Sequence, residues 1–132
     1  MTYLLDTNVC IALLKRHSAV VERLRGCRLE PPALCSPVKA ELWYGAFKSS
    51  QRERNVNLLM EFFAPLPSLP FDDHAAKIYG QLRADLAIRG FPIGPNDMLI
   101  AAVALAHGVT LVTHNVREFS RVSGLRIEDW QA

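Results

Sequence analysis

Apolar residues recur along this chain in two rhythms, short unbroken runs and longer stripes at helical spacing. The runs are residues 2–5, Ala33-Leu34-Cys35, Val109-Thr110-Leu111-Val112-Thr113 and Leu125-Arg126-Ile127. Each has strand length, and the nearly unbroken Val109–Thr113 run is the pattern of a strand covered on both faces. The stripes predict helices. Val38, Leu42, Gly45 and Ala46 share one face, as do Val56, Leu59, Met60 and Phe63, and then Ala75, Tyr79, Leu82 and Leu86. An alanine-rich stretch ending before Gly108 carries Ile100, Ala101 and Ala104 on a fourth. Strands alternating with helices predict an α/β sandwich with a mainly parallel sheet.

Local signals set the boundaries. Thr7 or Asn8 can cap a helix running to about Lys15, and a second helix is expected over residues 18–25. Ser36-Pro37 offers an N-cap followed by proline at the first helical position. Arg52 to Ala64 forms the next helix, after which Pro65, Pro67 and Pro70 punctuate a connection with a short extended segment around Leu69. Asp72 or Asp73 opens a longer helix that stops near Gly90-Phe91-Pro92, and Pro95 or Asn96 opens the alanine-rich one. A helical turn is expected at Val116–Phe119.

The 132 residues contain no repeat, linker or low-complexity tract, so a single domain over 1–132 is expected. Half are hydrophobic and 21% are charged, which argues against disorder. No apolar run approaches the roughly 20 residues of a membrane span, and the start lacks the pattern of a signal peptide, so the expected location is the cytoplasm. Three cysteines without a C-x-x-C pair favour neither a disulfide framework nor a thiolate zinc site. The four histidines have no close ligand spacing. Net charge is +2 and the pI about 8.6, which permits nucleic-acid contact without predicting it. The arginines at 16, 23, 25 and 28, at 52 and 54, at 83 and 89, and at 117, 121 and 126 read on their own as solvated faces.

Three acids change that picture. Asp6 closes the first strand, Glu41 falls on the apolar stripe of one helix and Asp97 on that of another. A lone ionised carboxylate on a buried face is costly unless something positive compensates it. Each acid also fits a plainer role as a cap or as an N-terminal helix charge, worth at most about 1 kcal/mol. Glu41, a full turn inside its helix, fits that role less well. In parallel sheets, sites form beyond the carboxyl ends of strands, where Asp6 and Thr113 both lie. All three acids can converge there on one divalent cation.

No phosphate loop, G-x-G-x-x-G, G-x-S-x-G or Cys-His pairing competes. An oxygen-ligand site suits Mg²⁺ or Mn²⁺, and such a site can activate water against a phosphodiester.

Leu-Leu-Asp-Thr-Asn (4–8), Val-Lys-Ala-Glu-Leu-Trp-Tyr-Gly-Ala (38–46) and Ile-Gly-Pro-Asn-Asp-Met-Leu-Ile-Ala-Ala (93–102) resemble the three acidic motifs of PIN-domain ribonucleases. Leu-Val-Thr-His-Asn-Val-Arg-Glu-Phe (111–119) and Gly-Leu-Arg-Ile-Glu-Asp-Trp (124–130) resemble the tail of the VapC toxin branch. The resemblance implies a PIN-like three-layer sandwich and a Mg²⁺- or Mn²⁺-dependent endoribonuclease, with tRNA a candidate substrate. It further implies a homodimer and a cognate VapB-type antitoxin that blocks the site in a hetero-oligomer. On this resemblance Asp6, Glu41 and Asp97 are the metal-site acids, with Asp6 and Asp97 the leading direct ligands. Where many members carry an aspartate two residues after the last strand's threonine, this chain has Asn115. Asn115 can accept a hydrogen bond from a water at the metal, or Glu118 can supply the fourth acid. Thr7, Asn8 and Thr113 are candidates for orienting the acids, and Arg83, Arg89 and Arg117 for phosphate contacts. Trp43 and Tyr44 can stack on bases, though aromatic residues beside a helical stripe more often serve the core or an interface.

Two other readings stay open. One is a catalytically silent PIN-like module that binds RNA or protein, which Asn115 keeps alive. The other is a metal-dependent phosphatase or DNA nuclease on a similar sheet.

Overall fold

The computed structural model describes residues 2–27 and 29–132, so Arg28 of the first arginine group lies outside the described residues. The chain opens with β1 (Tyr3–Leu5), α1 (Thr7–Leu14), α2 (Ser18–Arg25) and β2 (Leu34–Cys35). It continues with α3 (Ser36–Lys48), α4 (Arg52–Phe63), β3 (Ser68–Leu69) and α5 (Asp73–Arg89). Then come α6 (Pro95–His107), β4 (Thr110–Val112), α7 (Val116–Phe119) and β5 (Ile127–Glu128).

Every strand pairing is parallel. β1 lies beside β4 and β4 beside β5, with Leu5 opposite Val112 and Val112 opposite Glu128. β2 pairs with β3, and a bridge from Leu4 to Ala33 joins the two groups, giving the order β3-β2-β1-β4-β5. All three residues of β4 are buried, as are Leu4 and Leu5 of β1. Successive side chains of a strand point to opposite faces, so helices cover the sheet on both sides, as the three-layer sandwich expected from the sequence requires. Ile100 and Val103 of α6, Val38 of α3 and Phe119 of α7 complete the core with no exposure.

The helix starts and stops follow the expected chemistry, with local corrections. The side chain that caps α1 belongs to Asp6, not Thr7 or Asn8; its carboxylate accepts the Thr7 amide. Ser36 is the first helical residue of α3 rather than its cap, a role taken by the extended Cys35. Met60 faces solvent because α4 buries only Leu59 fully. Asp72 caps α5, and Gly90 and Gly108 end α5 and α6 at positive φ, where glycine meets no steric penalty. The last strand forms at Ile127–Glu128, later than the Leu125–Ile127 run, because its register is set by the end of β4. Cys10 and Cys35 are buried thiols and Cys27 is half-buried. No helix among the described residues is long and apolar enough to cross a membrane.

Candidate active site

Asp6 leaves the carboxyl end of β1 and is 4% exposed. One carboxylate oxygen accepts the Thr7 amide at 2.7 Å and the other the Thr113 hydroxyl at 2.8 Å. Thr113 lies just past β4, the neighbouring strand, so the sheet register itself joins the two residues. Burial pushes the Asp6 carboxyl above its usual range, and the Thr113 and Thr7 bonds pull part of the way back.

Glu41 emerges from the second turn of α3, and here the structure corrects the expected burial: its side chain is exposed at the rim of the stripe. It is nonetheless held. Its Oε1 accepts the Thr7 hydroxyl at 2.7 Å and an N–H of the Asn96 side-chain amide. Asn96 also reaches the Pro37 carbonyl at 3.4 Å, tying the start of α6 to the start of α3.

Asp97 sits half-buried in the first turn of α6. Burial, then the charges of Asp6 and Glu118, then a side-chain hydrogen bond with Glu118 and the charge of Glu41, push its pKa up to about 7. Glu118 moves the other way. Its Oε1 accepts the Gly94 amide at 2.8 Å and its Oε2 the Asn115 amide at 3.0 Å, and the Gly94 bond is the largest cause of its lowered pKa.

The structure therefore gathers Asp6, Glu41 and Asp97 and adds Glu118 as a fourth acid. Asn115 turns its side-chain N–H to Glu118, while its backbone N–H reaches the Thr113 hydroxyl at 3.0 Å. Thr7 and Thr113 orient acids. Asn8 stands exposed on α1, and among the described residues no hydrogen bond joins it to an acid. Asn96 and Gly94 were invisible to sequence reasoning as site residues. The available signal was their place in the segment around Asp97, but their acid partners lie far along the chain.

Arg89 pairs with Asp85 at 2.8 Å, and Arg83 donates to the Tyr79 hydroxyl at 2.9 Å. Arg117 is exposed on α7 beside Glu118. Trp43 packs edge-on against Phe63 with centroids 5.3 Å apart, which places it with the core, while Tyr44 is exposed under Lys48. A groove of about 350 Å³, lined by Thr7, Ile11, Leu14, Leu42 and Leu58, runs up to Glu41.

Among the described residues, no three His, Cys, Asp or Glu side chains are already grouped as a coordination set. Two features of the site still fit a hard divalent cation. All the converging donors are oxygens, the chemistry Mg²⁺ and Mn²⁺ take. The neighbouring carboxylates raise the Asp97 pKa, because carboxylates this close repel when all are charged, and a cation among them would relieve that repulsion.

A PIN domain is matched over residues 3–125. The tRNA(fMet)-specific endonuclease VapC of Shigella flexneri is 42% identical over 130 residues, covering 98% of both chains. VapBC2 from Rickettsia felis, solved bound to a DNA fragment from their promoter, superposes with a TM-score of 0.93 at 38% identity over 98% of this chain and 99% of that one. DNA-bound VapBC from Salmonella typhimurium superposes equally well, at 0.93 and 41% identity over 98% of each chain.

Proposed function

This chain belongs to the PIN-domain family, in its VapC ribonuclease branch, and on that basis we propose that its clustered acids hold Mg²⁺ or Mn²⁺ and hydrolyse a phosphodiester bond of a tRNA. The observation that carries this reading is the meeting of four acids at the ends of β1 and β4, where Thr113 bonds Asp6 and the Gly94 amide bonds Glu118, with Asp97 pushed up to about 7 by its neighbours.

Asp6 and Asp97 are the direct metal ligands in this reading, with Glu41 and Glu118 beside them. A divalent cation bound there makes water nucleophilic at neutral pH and stabilises charge on a phosphoryl oxygen. The chain's own residues do the positioning. Thr7 and Thr113 fix the two oxygens of Asp6 with opposed hydrogen bonds, so the carboxylate cannot swing. Thr7 and Asn96 together aim Glu41, whose ionised form accepts a proton from the attacking water. Gly94 and Asn115 hold Glu118 ionised, which supplies the negative charge that an aspartate at position 115 would bring. Arg117 is the phosphate contact we assign first, because it is exposed on the helix carrying Glu118; Arg83 and Arg89 are second.

As a VapC toxin the protein would pair with a VapB-type antitoxin in a hetero-oligomer and form a homodimer. The apolar groove ending at Glu41 offers an antitoxin segment a seat from which it covers the acids. A tRNA substrate places the action in the cytoplasm.

The test is cleavage of total cellular RNA by purified, antitoxin-free protein with Mg²⁺ or Mn²⁺, with cut ends mapped by sequencing. Discrete cuts in tRNA that vanish with chelator are expected. If folded, metal-supplied protein cuts no RNA, the proposal fails and a silent RNA- or protein-binding module is the better reading. Cleavage of DNA or of small phosphoesters alone would move it to the nuclease or phosphatase alternative.

A further inference from the structure

Three consecutive residues past β4 each fix a carboxylate. Thr113 bonds Asp6 at 2.8 Å and Asn115 bonds Glu118 at 3.0 Å, both within the acid site. Between them, His114 places its Nδ1 at 3.0 and 3.2 Å from the two oxygens of Asp129. Asp129 is itself held, accepting the Gln131 amide at 2.9 Å, and its side chain is only 18% exposed while that of His114 is 59% exposed. A pair with one partner this exposed adds little stability. Its consequence is orientation. Asp129 follows β5 as Thr113 follows β4 and Asp6 follows β1, so the three stand level along one edge of the sheet.

The tautomer follows from the contacts. An ionised carboxylate only accepts, so Nδ1 carries the proton that faces Asp129. In the neutral ring Nε2 is then an acceptor, and among the described residues no group is bonded to it. The sugar–phosphate backbone of RNA has a single donor, the ribose 2′-hydroxyl, which DNA lacks. We infer that His114 accepts a hydrogen bond from a ribose 2′-hydroxyl next to the scissile phosphate, with Asp129 as its positioning residue. This contact would make the site read RNA rather than DNA, and it rests on the tRNA-cleavage reading above.

The test uses the tRNA in which cuts are mapped as above, carrying single 2′-deoxy substitutions around that cut, with Mg²⁺. Wild type should lose about three- to tenfold in kcat/KM at one nucleotide. H114N, whose amide still reaches Asp129, should be slower on all-ribose RNA by a similar factor and show no further loss at that nucleotide. H114Q, whose amide oxygen extends toward the Nε2 position, should recover part of the penalty. If H114N keeps the full wild-type penalty at every nucleotide, or cleaves all-ribose RNA as fast as wild type, the inference is overturned while the ribonuclease reading stands. If wild type cuts no tRNA in total cellular RNA, the reading beneath the inference falls, and the inference with it.

Discussion

Asp97 and Glu118 crowd the same side of Gly94 while their proton affinities move apart, Asp97 up to about 7 and Glu118 down. The asymmetry comes from their surroundings. Glu118 accepts two N–H donors that favour its charge, whereas Asp97 is more buried and faces Asp6, Glu118 and Glu41. Near neutral pH Asp97 is therefore partly protonated, while Glu118 stays ionised.

That proton makes the stability of the metal-free protein depend on pH. Asp97 has a raised folded pKa, so its contribution is fully present below the unfolded value of about 4 and is lost as pH rises through about 7. Glu118, with a lowered folded pKa, acts oppositely, and its contribution is lost only as the solution becomes acidic. Chelated protein should thus lose about 1–2 kcal/mol between pH 5 and pH 8, allowing for partial solvent screening. Mg²⁺ should restore the loss at pH 8, and Asp97→Asn should shrink both effects, leaving the part due to Asp6, whose carboxyl burial also raises. Thermal melts at each pH, with and without Mg²⁺, check this; a flat profile in the chelated wild type contradicts it.

Thr113→Val keeps the side-chain shape but removes the hydroxyl that donates to Asp6. Loss of such an orienting bond costs about 10- to 100-fold in activity or metal affinity. Thr113 also lowers the Asp6 pKa, so the acidic limb of the pH–rate profile should shift to higher pH in the variant. An unshifted limb with full activity would show that Thr113 is an ordinary strand-end residue.

Asn96→Ala should free Glu41 from one of its two donors and lower kcat/KM about 10- to 100-fold, with stability changed by no more than about 1 kcal/mol. Thr7→Val should do the same from the other side, and the double variant should lose less than the product of the two single losses, since both act through Glu41. Steady-state cleavage beside melting curves separates this from a folding defect. Independent, multiplicative losses would mean the two residues act through different groups.

Much of the site was legible in the sequence because local signals and sheet topology coincide. Asp6 and Thr113 each end a run of strand residues, and parallel strands side by side bring their carboxyl ends together. Glu41 is exposed where its stripe predicts burial, and the reason is physical. A helical stripe says which residues share a face, but not where the covering layer stops, and α3 leaves Glu41 at its rim. The roles of Asn96 and Gly94 were hidden because each is defined by an acid on another element, Glu41 on α3 and Glu118 on α7. The sequence singles out Asn115 and Glu118 separately, but not the hydrogen bond that joins them.

The most direct test of the metal–carboxylate account is cleavage of total cellular RNA by the wild type, Asp6→Asn and Asp97→Asn, with matched folds confirmed by circular dichroism. Discrete, chelator-sensitive cuts by the wild type and a loss of at least about 100-fold in both variants are expected. Variants that cut as fast as the wild type, or wild-type cuts that persist in chelator, would contradict it.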